Sequence, residues 1–418
     1  MDNPQRTTMT ATHTAIKSLL LSCLSLAALT AQAQTSYVLT TLKPAASGAP
    51  MPRAQHYVLE NTDRVVSHSD FALGYRLPMC IPTLGCFGGT RTYAAHAASW
   101  PASTATSVTP VKMSDVSLGG VPLTEASAGE AGVAVSPDGR VFAGALSGHV
   151  FNAAGVLIGM ENQVVYDQTT SPQFGSGKIP KRGIDNRGVV VVNLYGKTYL
   201  WDLSSRLSRT TDTTLSDTMP LQPTIDKQGY PGARVNDMTS TAWMVGEVWP
   251  DTREVVGACE DNNVNRCWPT VWDNGQMRVI DQRVGSVMAT NASRQLLIRR
   301  LGDVYTVWSN GTEKTIAPLT AGHFAVPSGI NAAGVVVGRS GSSATDAPDL
   351  FKYAGGRAFI WINGSTQDLT NYVNARGAKL PSGSVLEDAR AINDKGSIVA
   401  VLRNWLGTRS TVRLTAKP

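Results

Sequence analysis

A degenerate repeat constrains this chain more than any other feature of its sequence. The clearest copy reads Gly329-Ile330-Asn331-Ala332-Ala333-Gly334-Val335-Val336-Val337-Gly338 and resumes after a loop as Arg357-Ala358-Phe359-Ile360-Trp361-Ile362-Asn363-Gly364. The first half recurs at 391–400 and 183–190, with decayed copies at 234–237, 289–293, 134–139 and 59–64. The second half recurs at 199–202, 270–275 and 306–311, and faintly at 97–100. This alignment puts the turn position at Asn61, Ser136, Asp185, Asn236, Asn291, Asn331 and Asn393, about 55 residues apart on average. A period of that size with strand-like content predicts a β-propeller.

Each unit has a physical logic. An apolar strand runs into Asn-x-x-Gly, where Asn bonds its own backbone and Gly supplies a positive φ. A Val-rich strand returns, apolar on both faces, as expected where neighbouring sheets cover it twice. A third strand ends in Trp and closes through Asn-Gly, a two-residue hairpin signal. A more polar fourth strand follows, for example 365–369. Composition agrees: 39 Gly serve the turns, and 16% charged residues is low beside the roughly 25% of an ordinary soluble domain. That argues against a helical enzyme, a coiled coil or a disordered tail. The expected fold is all-β, a propeller of seven blades with four antiparallel strands each, with six or eight blades as alternatives because the turn spacings range from 40 to 75 residues. The last unit has strands at 397–402 and 410–414 but no fourth, so Tyr37 to Leu42 is expected to supply it and close the ring.

The motifs resemble the HAF-repeat family of bacterial extracellular proteins, whose units read roughly Ile-Asn-Asp-x-Gly-x-Val-Val-Gly followed by His-Ala-Phe-x-Trp-x-Asn-Gly. The match is good over 329–400, fair over 183–311 and poor before 160. The family's His is Arg357 in the best copy here. The resemblance implies export and a propeller-like β fold; it implies no settled activity.

Residues 1–33 read as a cleaved signal peptide. Lys17 precedes an apolar stretch of about a dozen residues and Ala31-Gln32-Ala33 fits an A-x-A site. The mature chain is then a single domain over 34–418, located outside the cytoplasm, periplasmic or secreted. Cys23 leaves with the leader, and the close pairs Cys80/Cys86 and Cys259/Cys267 read as two local disulfides. Their spacings do not match zinc knuckles. No second apolar stretch long enough to span a bilayer follows. The net charge of +6 is spread without any run of five Lys or Arg, which argues against a nucleic-acid surface, since that would need a clustered basic stripe.

Strand alternation puts the short Asn turns on one face and long loops on the other, at roughly 76–90, 104–130, 204–231, 248–268, 340–356 and 371–387. Binding tends to reside on long loops held by a rigid scaffold. The candidate surface there is Trp249 and Trp268 for stacking, with Arg253, Glu260 and Asp261 as polar partners; the competing reading packs both Trp into their own blade. Trp201, Trp272, Trp308 and Trp361 recur at one strand position and are expected to fill the space between blades. His68, His96 and His149 are expected to be ordinary blade residues. The sequence has no His-Glu-x-x-His, no Gly-x-Ser-x-Gly and no complete phosphate loop, Gly175-Ser176-Gly177-Lys178 being only a fragment. Glu260-Asp261-Asn262-Asn263 is the nearest approach to a calcium loop. The expected function is therefore that of a monomeric, cofactor-free binding or scaffold protein, its partner a glycan or another extracytoplasmic protein. The alternative is a glycan or cell-wall hydrolase or lyase with a carboxylate pair drawn from Asp251, Glu260, Asp261, Asp346, Asp349, Glu387 and Asp388.

Overall fold

The structure is a computed structural model and describes residues 36–45, 57–76, 79–81, 85–87, 90–113, 133–144, 149–160, 179–194, 197–211, 222–223, 225–249, 267–342 and 356–417. It is all-β, with small antiparallel sheets in a propeller arrangement and a short α-helix at Leu369–Asn374. In chain order, sheet A comprises Val58–Leu59, Val65–Arg76, Thr90–Trp100 and Val111–Lys112. Sheet B comprises Val133–Val135, Phe142–Gly144, His149–Phe151 and Leu157–Met160, and sheet C Val189–Leu194, Lys197–Asp202 and Gln222–Pro223. Sheet D runs Gly232–Ser240, Trp243–Trp249, Trp268–Asp273 and Gln276–Val279; sheet E Gly285–Thr290, Leu296–Arg300, Val304–Ser309 and Thr312–Thr315. Sheet F holds Phe324–Ile330, Val336–Gly341, Arg357–Ile362 and Ser365–Asp368. Sheet G holds Val385–Ile392, Ile398–Arg403 and Arg409–Lys417, joined by Ser36–Leu42 and then Ser107–Val108. Against the seven blades expected, six sheets carry four or five strands, and sheet C carries three.

The hairpins form where the repeat places them. Asn274-Gly275, Asn310-Gly311 and Asn363-Gly364 all have positive φ at both positions, the geometry that matches the twist of a tight hairpin and that Asn-Gly tolerates best. At the first turn, the backbone N–H of Asn331 bonds the Val335 carbonyl and Gly334 N–H bonds the Asn331 carbonyl; Asn291, Asn393, Asp185, Ser136 and Glu60 head turns of the same kind. Two expected turn positions shift. Glu60, not Asn61, heads the first turn. Asn236 lies inside a strand, and the sheet D turn falls at 241–242, because Trp243-Met244-Val245-Gly246, not the stretch after Asn236, is that unit's returning strand.

The turn side chains also tie neighbouring sheets together. Asn331 Oδ1 accepts the Val335 N–H (2.9 Å) while its Nδ2 donates to the Asn393 carbonyl (3.1 Å). Asn291 does the same toward the Asn331 carbonyl (2.7 Å), and Asn393 toward the Glu60 carbonyl (2.8 Å). Elsewhere other groups make the link: Arg64 to the Gly139 carbonyl (3.0 Å), the Asp138 N–H to Asn186 Oδ1 (2.9 Å), Arg187 to Thr241, and the Thr290 N–H to Asp237 Oδ2 (2.8 Å).

The cores lie between sheets. Val66 and Ala97 pack on Phe142 and Val135, joining A to B, and Val150 and Ile158 pack on Val190 and Trp201, joining B to C. Equivalent clusters join C to D, D to E, E to F and F to G. Ala391 and Val399 of sheet G pack on Leu59, Val65 and Trp100 of sheet A. The repeated Trp201, Trp272 and Trp361 are buried in these interfaces as expected, where truncation of such a side chain costs about 3–5 kcal/mol, and Trp308 is partly buried against the D–E core. The fully buried Arg413 adds a polar clamp between G and A, donating to the carbonyls of Asp63 (2.7 Å), Pro101 (2.9 Å) and Ser103 (2.9 Å). Burial pulls its pKa down, with Asp63 opposing.

Ser36–Leu42 pairs antiparallel with Arg409–Lys417 in unbroken register from Ser36↔Lys417 to Leu42↔Thr411. Its Leu42 is buried in the G–A core. Two outcomes are expected in thermal melts. Asn331→Asp keeps the turn acceptor but sets an oxygen against the Asn393 carbonyl, and it is expected to cost about 1–3 kcal/mol. Deleting residues 34–43 is expected to lower the melting temperature sharply; an unchanged melt would show that this pairing contributes nothing to stability.

Candidate functional site

The first strands of sheets D to G share an irregularity. The pairing register jumps between Val235 and Asp237, between Val287 and Ala289, between Pro327 and Gly329, and between Ala389 and Ala391. Each jump is a β-bulge that re-aims the extra residue. The bulged residues are Asn236, Met288, Ser328 and Arg390, and the first three line a cavity of about 310 Å³ enclosed by the first strands and their turns. The repeat's Val-Val-Gly motif has its reason here. A Cβ on Gly338 would sit 2.2 Å from the Val326 carbonyl oxygen, and one on Gly246 1.8 Å from that of Arg234, so only glycine fits opposite these bulges.

Sheet C breaks the pattern differently. Where its neighbours have a regular first strand, the chain turns at Pro180-Lys181-Arg182-Gly183, closed by the Gly183 N–H on the Pro180 carbonyl (2.8 Å). The turn presents Lys181 and Arg182 to the cavity. Lys181 Nζ donates to the Arg390 carbonyl (3.1 Å) across from it. Arg182 Nη1 donates to the Thr290 carbonyl (3.0 Å) and lies 3.4 Å from Asp237 Oδ2. Asp237, one residue past the sheet D bulge, is 2% exposed; its Oδ2 accepts the Thr290 N–H (2.8 Å), while Oδ1 is buried without a hydrogen-bond partner. Burial pushes this carboxyl above the usual carboxylate range, with the Arg182 charge pulling the other way. Behind it, Glu247 is fully buried and held by Arg234 (2.8 Å), Asn236 Nδ2 (2.7 Å) and Ser286.

The remaining wall is mostly apolar, with Val58, Met288, Ala289, Ile330 and Ile392 facing the same space. At the turn end Asp394 is taken up by Asn61 Nδ2 (2.9 Å) and the Ala332 N–H (2.7 Å), and Glu60 by Arg64 (2.6 Å). The cavity is thus amphipathic, with a mainly cationic sector from sheets C and D and two carboxylates, Glu60 and Asp394, at the turn end. Its volume stands at the lower end of the roughly 300–1,000 Å³ of small-molecule sites, which combine apolar walls with a few convergent polar groups.

The residues singled out from sequence fall elsewhere. Trp249 is 5% exposed and packs in the C–D core. Trp268 is half-buried against the same core, edge-on to Tyr230 at 5.8 Å between ring centres. Arg253, Glu260, Asp261 and Cys259 lie outside the described residues, as do Asp251, Asp346, Asp349 and most of the long loops. Glu387 is buried and paired with Arg403 and Arg409, and Asp388 with Arg390 (2.7 Å). His96 is buried in sheet A. Among the described residues no cluster of three or more His, Cys, Asp or Glu is placed to hold a metal, and no helix is long and apolar enough to cross a membrane.

Sequence reading missed Lys181, Arg182 and Asp237. Asp237 lies inside a strand where the repeat alignment expects a turn at 234–237, and Lys181-Arg182 flank a repeat copy of fair match. Two adjacent cations where the best copy has Pro327-Ser328 was the available signal. It also missed Trp405, 72% exposed beside Leu406 at the tip of the second hairpin of sheet G. No family model matches the chain, and no curated protein matches it either.

The raised pKa of Asp237 has a sign that can be measured. The folded state holds this proton more tightly than the unfolded chain, so stability is expected to fall as pH rises from about 4, the unfolded carboxylate value, through the folded pKa. Asp237→Asn is expected to flatten that part of the curve of melting temperature against pH; an unchanged slope would assign it to other groups.

Proposed function

We propose that the protein is an exported seven-bladed propeller that binds a small molecule in the cavity between its first strands. The observation that carries the reading is the meeting of two separate irregularities, the broken first strand of sheet C and the bulge of sheet D, at one charged sector of one cavity. Irregularities of this kind weaken a sheet locally and concentrate where side chains must be aimed.

The blade count and closure rest on further support. Ile184 bridges Val190, and the Val191 N–H bonds the Gly183 carbonyl at 2.7 Å, so residues 183–185 run beside sheet C as a rudimentary fourth strand. With that strand, the pairing of Ser36–Leu42 on sheet G and the G–A core make a ring of seven. Export is proposed from the leader and the cysteine pairs. The register of Met79–Ile81 with Gly85–Phe87 sets residues 80 and 86 opposite each other, a position suited to a Cys80–Cys86 disulfide, and Cys267, proposed to pair with Cys259, is buried in the C–D core. The HAF-repeat resemblance gives the same address.

The test is thermal stabilisation of the mature chain across a small-molecule library, run beside two plugged variants, Gly329→Leu and Met288→Trp. A Cβ on Gly329 meets only Ile392, at 3.7 Å, and Met288 is exposed, so both variants are expected to fold. Hits that shift the parent and neither variant are expected. Equal shifts in all three would place binding outside the cavity, and hits on none would leave the surface, as a scaffold, to account for the function.

A further inference from the structure

We infer that the cavity takes a small amphipathic anion, with a carboxylate or phosphate head on Arg182 and an apolar body against Met288, Ile330 and Val58. This deepens the reading of the cavity as a ligand site and rests on it.

The acidic groups of the cavity are occupied or sealed. Glu60 is bound by Arg64, Asp394 by Asn61 and the Ala332 N–H, and the unpartnered Oδ1 of Asp237 has no exposed surface. The guanidinium of Arg182 is different. Its side chain is 36% exposed, and among the described residues its one side-chain hydrogen bond is from Nη1 to the Thr290 carbonyl. A guanidinium has five N–H donors in a rigid fork, so Arg182 keeps unspent donor capacity at one planar cation facing the cavity. Asp237 and the Thr290 carbonyl fix that plane from behind, which lowers the ordering cost of binding and suits a planar or tetrahedral oxyanion taken in two bonds.

Charge points the same way. Lys181 and Arg182 outnumber Asp237 in this sector, and the other two carboxylates that line the cavity, Glu60 and Asp394, lie at its turn end, where Arg64, Asn61 and the Ala332 N–H already bind them, so beside Arg182 an anionic head is favoured over an ammonium. The apolar wall opposite requires that the rest of the ligand be greasy and short, since the whole space is about 310 Å³. A fully polar ligand such as a free sugar would leave its hydroxyls unpaired against Met288 and Ile330.

Isothermal titration of the mature chain with hexanoate, hexyl phosphate, 1-hexanol and hexylamine tests this directly. Hexanoate or hexyl phosphate is expected to bind at least about tenfold more tightly than the alcohol, with no binding of the amine; whichever anion is tighter identifies the head group. Arg182→Gln is expected to remove that preference while leaving the weak binding of hexanol unchanged. If hexanol or hexylamine binds the parent as well as the anions do, the anion reading is overturned while the cavity stands. If none of the four binds the parent, but a library compound does so in a manner that Gly329→Leu abolishes, the ligand class is again wrong and the cavity right. The comparison among ligands on the parent protein decides the matter even if Arg182→Gln does not fold.

Discussion

The structure depends on an asparagine side chain that performs two tasks at once. At Asn291, Asn331 and Asn393 the amide oxygen closes the residue's own turn, and the amide nitrogen bonds the turn of the next sheet. Aspartate or serine can do the first task but has no N–H for the second. That difference accounts for the arrangement where Asp185 and Ser136 head the turns: there the links to the next sheet come from Asn186 and Arg187 instead. The apolar clusters between sheets set how closely the sheets pack, and these directional bonds fix each sheet's position along its neighbour. The cavity inherits its shape from that positioning.

Against this regular frame, the departures carry the chemistry. A bulge places one residue where the ladder has no room for it, and a turn in place of a strand leaves polar backbone in need of other partners. Sheet C satisfies that need by bonding the Met238 N–H to the Arg182 carbonyl (3.2 Å), which pins the turn to sheet D. The buried Glu247 and Asp237 cost stability that hydrophobic residues would not, since desolvated charges are stabilising only when fully paired. Asp237 is incompletely paired, and a repeat built for stability alone would not place it there.

Much of the frame was legible in the sequence because it is written in local patterns. Asn363-Gly364, the Asn331 turn and the recurring Trp201, Trp272 and Trp361 each depend on residues within a few positions of each other. The pairing of Ser36–Leu42 was legible for a different reason: the last unit lacked a strand and the chain began with a spare one. The site was not legible. Arg182, Asp237 and Thr290 come from three sheets, and nothing within any one repeat announces that they meet. Trp249 and Trp268 help fill the space between sheets C and D, while the polar partners expected beside them, Arg253, Glu260 and Asp261, lie outside the described residues. The cavity is bounded by the short turns, whereas the long loops of the other face lie largely outside the described residues.

The strand Ser36–Leu42 has one further consequence. Its partner is the last described strand, so a chain made from its N-terminus carries an unsatisfied edge through nearly all of its synthesis. Intermediate sheets can pair locally as they emerge, each hairpin being complete within its own unit. Sheet G cannot, and neither can its core against sheet A, since Leu42, Tyr57 and Val399 must all be present. Folding of this molecule is therefore cooperative at its seam and local elsewhere. The pairing of Ser36–Leu42 with Arg409–Lys417, so far apart in sequence, is opposed by a large loop-closure entropy that no hairpin within a single sheet has to meet.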